Sequence, residues 1–369
     1  MQETQTAVAP KEKKVNLGLN LLRVWLSFEV VADHFWHAKG LTGTMAFLYA
    51  MRSVAVPCFL LMSFFLTANR YAGSDTKWLR TRFGRLCVPY FIWPVVYFVL
   101  ILVLSAVSPH FVNTTVSTTE LKAYGFDLAV NGWDLVRQWV FGIDRRLVHQ
   151  FWFHGNLIFW TAGMFLLLFL VKGRNARIYA LSVCMMVSFV MQYSPLNKML
   201  FGGFDFEMKY SLGRLFATLP YAALALMIGF NQKRISEIRG GARVFLSIAG
   251  LFLLFFVHYS KCLPRPSGLG YQGINLILMA LGIVTFFYFL PLDKAPKWLE
   301  GAIGLVSRYC MGIYCCHLVL GWVMYSWVLP HFGVGLETFA SSVWIWIASW
   351  IVCWLIARIP GGLSKDLVQ

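Results

Sequence analysis

Charged residues are scarce in this sequence. Only 13% of its 369 residues are Asp, Glu, Lys or Arg, whereas the share in an ordinary soluble protein is about 25%. Hydrophobic residues make up 59% of the chain, and the mean hydropathy is +0.64. A soluble globule is therefore excluded. The sequence predicts an all-α polytopic membrane protein.

Acidic residues are half as numerous as basic ones, 16 against 32, which gives a net charge of +16. A nucleic-acid partner would need a basic face on a soluble domain, and none is expected here. The eight cysteines lie mostly inside apolar runs and show no disulfide or metal spacing, so we interpret them as small apolar packing residues.

Apolar runs of membrane-crossing length predict about ten transmembrane helices. The predicted spans are 15–38, 45–68, 86–107, 150–171, 177–194, 211–230, 243–260, 271–291, 304–328 and 338–358. The predicted organisation is a cytoplasmic N-terminal tail (1–14), one transmembrane domain (15–358) and a cytoplasmic C-terminal tail (359–369).

The distribution of Lys and Arg predicts that both termini are cytoplasmic, because cytoplasmic loops are enriched in these residues. With the N-terminus inside, the inner segments hold 19 basic residues and the outer segments nine. The longest connection, 108–149, then faces outward. It is interpreted either as a lid or interfacial helix that helps to hold an external substrate, or as an amphipathic segment that only rests on the headgroups.

The first span carries five ionisable residues, Arg23, Glu29, Asp33, His34 and His37. Charge inside a membrane is costly, so such residues are the first candidates for function. His34 is the best candidate for a general base, because imidazole titrates nearest neutral pH and Asp33 or Glu29 could orient it. The alternative is a buried histidine that only packs and forms a hydrogen bond.

The predicted inner loop 69–85 is rich in basic residues, among them Arg80, Arg82 and Arg85. Guanidinium groups match phosphate oxygens in a bidentate manner, so a phosphate-rich cytosolic ligand would suit this loop. The alternative is a stop-transfer cluster that is attracted to anionic lipid.

Two motif matches in the sequence do not predict a binding site. The glycine pattern at 268–273 formally fits a dinucleotide fingerprint, but it lies in a predicted outer loop without a βαβ unit. Cys315, Cys316 and His317 diverge around a helix and have no partner pair in the sequence, so no metal is expected.

Five segments in order resemble the acyltransferase type 3 family of integral membrane proteins. Asn20 to Arg23 followed by His34 is similar to its opening signature, and Ser53 to Ser63 to its second span, although Phe64 stands where glycine usually follows the serine. The remaining segments are Arg82 to Arg85 with Val88, Pro89, Tyr90 and Trp93; Phe151 to Phe153; and Ser307 to His317.

The resemblance implies a membrane O-acyltransferase that moves an acyl group from a cytosolic acyl-CoA, commonly acetyl-CoA, to a hydroxyl of an extracytoplasmic glycan or glycolipid such as an exopolysaccharide. It implies a location in the cell (inner) membrane. His34 would be the essential histidine, as a base or as a carrier of the acyl group, and Arg23 its companion. The resemblance implies that Arg82 and Arg85 contact CoA. Together with the residues chosen from charge and helical geometry, Asp33 and Glu29 among them, the candidates are His34, Arg23 and Asp33 for catalysis; Arg82, Arg85, Arg80, Ser63 and Trp152 for acyl-CoA; and Glu29, His37 and His317 for support.

A transporter or exporter of a polysaccharide or lipid-linked precursor is the main alternative, since intramembrane charges also line substrate pathways. Such proteins often contain two related halves. Residues 1–185 and 186–369 show no such match: the sixth predicted span holds Arg214 and no counterpart of the cluster in the first. The acyltransferase is therefore favoured.

Overall fold

The computed structural model describes residues 16–36, 43–107, 151–193, 206–260, 273–333 and 338–368, and these form helices and short connections without a strand. The α-helices are α1 (Leu17–Phe35), α2 (Gly43–Met51), α3 (Ala55–Phe65), α4 (Ala68–Ala72), α5 (Thr76–Val107), α6 (Trp152–Leu170), α7 (Arg174–Tyr193), α8 (Phe206–Gly229), α9 (Gln232–Ser236), α10 (Gly240–Ser260), α11 (Ile274–Phe289), α12 (Lys297–Ser307), α13 (Cys310–Val323), α14 (Phe339–Ile356) and α15 (Gly362–Val368). The predicted outer segment 108–149 lies outside the described residues.

Helix α1 lies at the centre of the bundle, where it contacts α3, α11, α12, α13 and α14. Its N-cap is Asn16, whose side-chain oxygen accepts a hydrogen bond from the backbone N–H of Leu19 at 3.0 Å. Leu22 and Leu26 are fully buried on it. A helix that carries this much charge is thus surrounded by protein, as an intramembrane ionisable group requires.

The outside of the bundle is apolar. On α10, Phe245, Ile248, Phe252 and Phe256 form a stripe with helical spacing and are 55% to 69% exposed. Residues of the same kind follow one face of α7, at Tyr179, Val183 and Met186. Continuous exposed apolar stripes of this kind are suited to contact with lipid.

Four helical segments in the described part of the chain have the length and hydropathy to cross a membrane: Trp152–Leu170, Leu212–Gly229, Gly240–Tyr259 and Phe339–Ile356. The pair α12 and α13 would add a fifth, bent by 56°. The prediction of ten spans is therefore met only in part. Helix α1 fails the hydropathy requirement for a span because it carries three charged residues. Helix α11 fails the length requirement because it has only 16 residues.

The predicted second span, 45–68, is broken into α2, a 3₁₀ turn (Arg52–Val54) and α3. Pro57 lies in the first turn of α3. Proline has no backbone N–H and clashes with the preceding turn, so a continuous helix through this position is disfavoured. The predicted ninth span is likewise divided, into α12, α13 and a short π-helical stretch (Met324–Val328).

Several connections meet at one end of the bundle. Asn69 donates a hydrogen bond to Gln232 at 3.0 Å, and Arg174 donates to Asn231 at 2.7 Å. Arg177 donates to the carbonyl of Ala72 at 2.9 Å. These contacts join residues 66–75, 171–177 and 230–239 at one end, which we call the basic end of the bundle. Arg82 of α5 lies beside it, because the ring of Tyr71 packs against Trp78 and Trp78 contacts the Arg82 guanidinium.

The segment 359–369, predicted as a tail, contains the helix α15. It packs against α5, where the indole Nε1 of Trp93 donates a hydrogen bond to the carbonyl of Leu367 at 3.0 Å. Val368 is fully buried beside Gly312 and Cys353. Residues 362–368 are thus an integral part of the bundle.

Candidate active site

His34 lies beside His317 of α13. Their ring centroids are 5.2 Å apart and their planes are inclined by 38°. His34 is half-buried, whereas His317 is fully buried. Two imidazoles in contact, one of them accessible, form the best candidate in the described residues for moving a proton.

The hydrogen bonds of His317 fix its tautomer. Its Nδ1 lies 2.8 Å from the carbonyl oxygen of Tyr314 and 3.2 Å from that of Ile313. A carbonyl oxygen only accepts, so Nδ1 carries the proton and Nε2 of the neutral ring is an acceptor. Among the described residues, this buried Nε2 has no hydrogen-bond partner. His317 therefore presents a proton acceptor in the interior beside His34.

Helices α1 and α13 run in the same direction and approach closely. Near the start of α13, the thiol of Cys310 donates to the backbone carbonyl of Arg23 at 3.3 Å. Near its end, a Cβ atom at Gly321 would overlap the ring of Phe35. The absence of a side chain at Gly321 thus allows α13 to approach α1 next to His34.

Arg23 is half-buried at the Cys310 end of this helix pair. It lies eleven residues before His34, which is about 16 Å along α1 at 1.5 Å per residue. Ser27, between them, accepts a hydrogen bond from the indole of Trp346 at 2.9 Å. The middle of α1 therefore contacts α14, and Arg23 and His34 occupy separate levels of the interior.

The other predicted residues of the first span have different surroundings. Asp33 is half-buried and is turned about 100° around the helix from His34. Glu29 is 2% exposed and lies five residues before His34, on another face of α1. His37 lies outside the described residues. The ring that the structure places against His34 is thus that of His317.

The guanidinium group of Arg82 is held by hydroxyl groups and aromatic faces. Its Nη2 donates to Ser63 at 2.7 Å and its Nε to Thr161 of α6 at 3.3 Å. Its Cζ lies 5.4 Å from the ring centroid of Trp78 and 5.8 Å from that of Phe64. No carboxylate pairs with Arg82 in the described parts of the chain. This half-buried cation can still pair with an anion.

The neighbouring cations differ from Arg82. Arg85 is exposed, one turn further along α5, and Arg80 is exposed on another face, since residues two apart diverge by about 200°. Arg70 forms an ion pair with Asp75 at 2.9 Å. The backbone N–H of Trp78 and, less strongly, the Arg70 guanidinium hold the pKa of Asp75 below its usual range. Arg70 is thus already neutralised.

Trp152 lies away from Arg82. It is nine residues before Thr161 on α6, about 14 Å along the axis. The Cζ atom of Arg214 lies 4.5 Å from its ring centroid. Of the residues predicted for acyl-CoA, the structure therefore brings Arg82 and Ser63 into contact and places Trp152 with Arg214.

The residues around Arg82 and His317 that were not predicted include Thr161, Trp78 and His154. Thr161 and Trp78 contact the guanidinium, and His154 of α6 is fully buried with its ring centroid 5.9 Å from that of Tyr314. Only His154 carried a signal in the sequence, as an ionisable residue inside a predicted span. Thr161 and Trp78 are of types that are common in any membrane helix.

Comparison with known proteins identifies the family. A family model described as an acyltransferase domain, that of the acyltransferase type 3 family, matches residues 16–358. No curated protein and no solved structure matches the chain. The match covers nearly the whole chain, so the chain belongs to the acyltransferase type 3 family and is an enzyme that transfers acyl groups.

Proposed function

We propose that this protein transfers an acetyl group from cytosolic acetyl-CoA to a hydroxyl group of a glycan or glycolipid on the other side of the cell (inner) membrane. One observation carries the proposal: Arg82, a cation without a carboxylate partner among the described residues, is held by hydroxyl groups at the basic end of the bundle. Membership in an acyltransferase family supplies the reaction class.

The cradle of Arg82 fits the phosphate end of coenzyme A. Its guanidinium can donate to phosphate oxygens, and the hydroxyl groups of Ser63 and Thr161 can donate as well. Arg85, exposed one turn further, adds positive charge for the remaining phosphates. If the basic end is cytoplasmic, as the enrichment of Lys and Arg favours, the donor enters from the cytosol.

Transfer takes place at His34 in this proposal. His34 removes the proton of the acceptor hydroxyl, the oxygen forms a bond with the thioester carbonyl carbon, and the carbon–sulfur bond breaks. The proton then passes to the departing thiolate, so that CoA leaves as a thiol. Arg23, about 16 Å nearer the basic end, positions the donor or stabilises its charge.

His317 is a positioning residue for His34. With its Nδ1 proton committed to the carbonyls of Tyr314 and Ile313, its Nε2, which has no partner among the described residues, can accept a hydrogen bond from a nitrogen of His34 when the substrates are bound. The other nitrogen of His34 then keeps a lone pair for the acceptor hydroxyl. This arrangement follows the logic by which a third group holds a catalytic histidine in one tautomer.

Binding of acetyl-CoA to purified protein in detergent tests the donor site. Arg82→Ala is expected to weaken binding about tenfold or more, because hydrogen bonds to charged groups contribute about 1.5–3 kcal/mol. Calorimetry would measure the dissociation constant, and the difference between variant and wild type should shrink at high salt.

Arg80→Ala is the matched control for that experiment. It removes a cation that the sequence also suggested for acyl-CoA, but one that is exposed on another face of the same helix. If the cradle of Arg82 is the specific site, Arg80→Ala should weaken binding of acetyl-CoA much less than Arg82→Ala does. Equal losses of affinity in both variants would show that this part of α5 is only a nonspecific basic surface. Unchanged affinity in folded Arg82→Ala protein would remove the assignment of this site.

A second prediction concerns His317. His317→Leu should lower acetyl transfer about 10²-fold, since misplacement of a reacting group by about 1 Å has that effect. His317→Gln keeps an acceptor atom near the position of Nε2 and should recover most of the rate. The readout is incorporation of radiolabelled acetyl from acetyl-CoA into the glycan fraction of membranes that contain the protein. If Gln and Leu variants are equally slow, His317 has a packing role only.

A further inference from the structure

His154 is a buried histidine that the proposed reaction leaves unused. It is fully buried on α6, and neither of its ring nitrogens has a hydrogen-bond partner among the described residues. The rings of Phe151, Tyr314 and Tyr90 lie around it, with centroid distances of 6.1, 5.9 and 6.3 Å. Buried polar groups are normally satisfied, so an imidazole held in this way points to a ligand.

The position of His154 connects the two ends of the proposed site. Seven residues separate it from Thr161, so the two side chains lie on the same face of α6, two turns and about 10 Å apart. Thr161 contacts Arg82. On the other side, the Tyr314 ring lies 6.1 Å from His317, and His317 lies 5.2 Å from His34. A line of buried polar side chains thus runs from Arg82 to His34.

We propose that His154 binds the acyl-pantetheine arm of the donor on its way from Arg82 to His34. This inference rests on the proposed function. A neutral imidazole has one N–H donor and one acceptor nitrogen, and each amide of the arm has the complementary pair. The rings of Phe151, Tyr90 and Tyr314 can pack against the methylene groups between these amides. The position of His154 between Arg82 and His34 favours the arm over the acceptor glycan, because the arm has to reach from the one to the other.

The proposal predicts that His154 distinguishes a ligand with the arm from one without it. Calorimetry would compare acetyl-CoA with adenosine 3′,5′-bisphosphate, which keeps phosphate groups and lacks the arm. His154→Leu should weaken acetyl-CoA binding about 3- to 10-fold, as expected for loss of a hydrogen bond to a neutral group, and leave the bisphosphate unaffected. His154→Gln, which restores a donor and an acceptor, should recover most of the affinity.

His258→Leu is the control variant. This half-buried histidine lies on α10, packed against Phe47 and Tyr259, and its replacement should affect neither ligand. Equal weakening of both ligands by His154→Leu, or no change in acetyl-CoA binding, would overturn the proposal. If wild-type protein binds neither ligand, the proposed function itself fails. This outcome is distinct from the two results for His154→Leu that would overturn the role of His154.

Discussion

Replacing His34 with Ala is expected to lower acetyl transfer about 10²- to 10⁴-fold, the range that a positioned general base contributes. Binding of acetyl-CoA should remain within twofold of the wild type, because Arg82 and its hydroxyl partners lie at the basic end, away from His34. The measurement combines the rate of acetyl incorporation into membrane glycans with calorimetry on the same preparation.

Asp33→Asn separates two views of how His34 is oriented. The sequence favoured a carboxylate of α1, whereas the structure places the ring of His317 against His34. If His317 positions His34, Asp33→Asn should retain a rate within about tenfold of the wild type and far above that of His34→Ala. A loss of rate as large as that of His34→Ala would show that Asp33, and not His317, orients His34.

The second large effect is expected at Gly321. In Gly321→Ala the added Cβ would overlap the ring of Phe35, so α13 has to move away from α1 at the level of His34. Overpacking of this kind costs about 1–3 kcal/mol. Transfer should fall about 10²-fold if the histidine pair is displaced by about 1 Å. Thermal unfolding in detergent and the acetyl transfer assay would measure the two effects.

Two further variants test this explanation. Gly304→Ala adds the same methyl group to α12, where nothing lies within 4 Å of the new atom. It should leave activity unchanged and stabilise the helix by about 0.5–1 kcal/mol. The double variant Gly321→Ala with Phe35→Leu makes room for the methyl group and should regain part of the lost activity. No recovery in a folded double variant would show that steric separation of α1 and α13 is not the cause.

The sequence predicted the central helix well, because its signals are local. The predicted span 15–38 corresponds to α1 (Leu17–Phe35), and this helix, which was singled out for its ionisable residues, contacts five other helices of the bundle. The breaks in the second and ninth predicted spans were missed. Hydropathy counts apolar residues and is insensitive to backbone geometry, so Pro57 and the bend between α12 and α13 left the apolar runs unchanged.

The candidate site could be predicted only where its residues share a helix or a family motif. Arg82 was indicated by the basic loop 69–85 and by the resemblance, Ser63 by the resemblance alone, and their contact is present. Helical periodicity predicts where Asp33 and Glu29 lie relative to His34 on the same helix, but it cannot predict which residue of another helix contacts His34. The contact between His34 and His317 depends on the close approach at Gly321, which is a tertiary feature. For the same reason the cradle of Thr161 and Trp78 around Arg82 went unnoticed.

The contacts of α1 with α13 also have a consequence for biosynthesis. Cys310 and Arg23 are 287 positions apart in the chain, and Tyr325 and Phe35 are 290 apart. At about 5–20 residues per second, the ribosome completes α13 many seconds after α1 has emerged. During that interval the charged first helix lacks the neighbour that later packs against it. We expect the insertion machinery or a membrane chaperone to retain α1 until then, and nascent chains that end before α13 to be inactive whatever their amount.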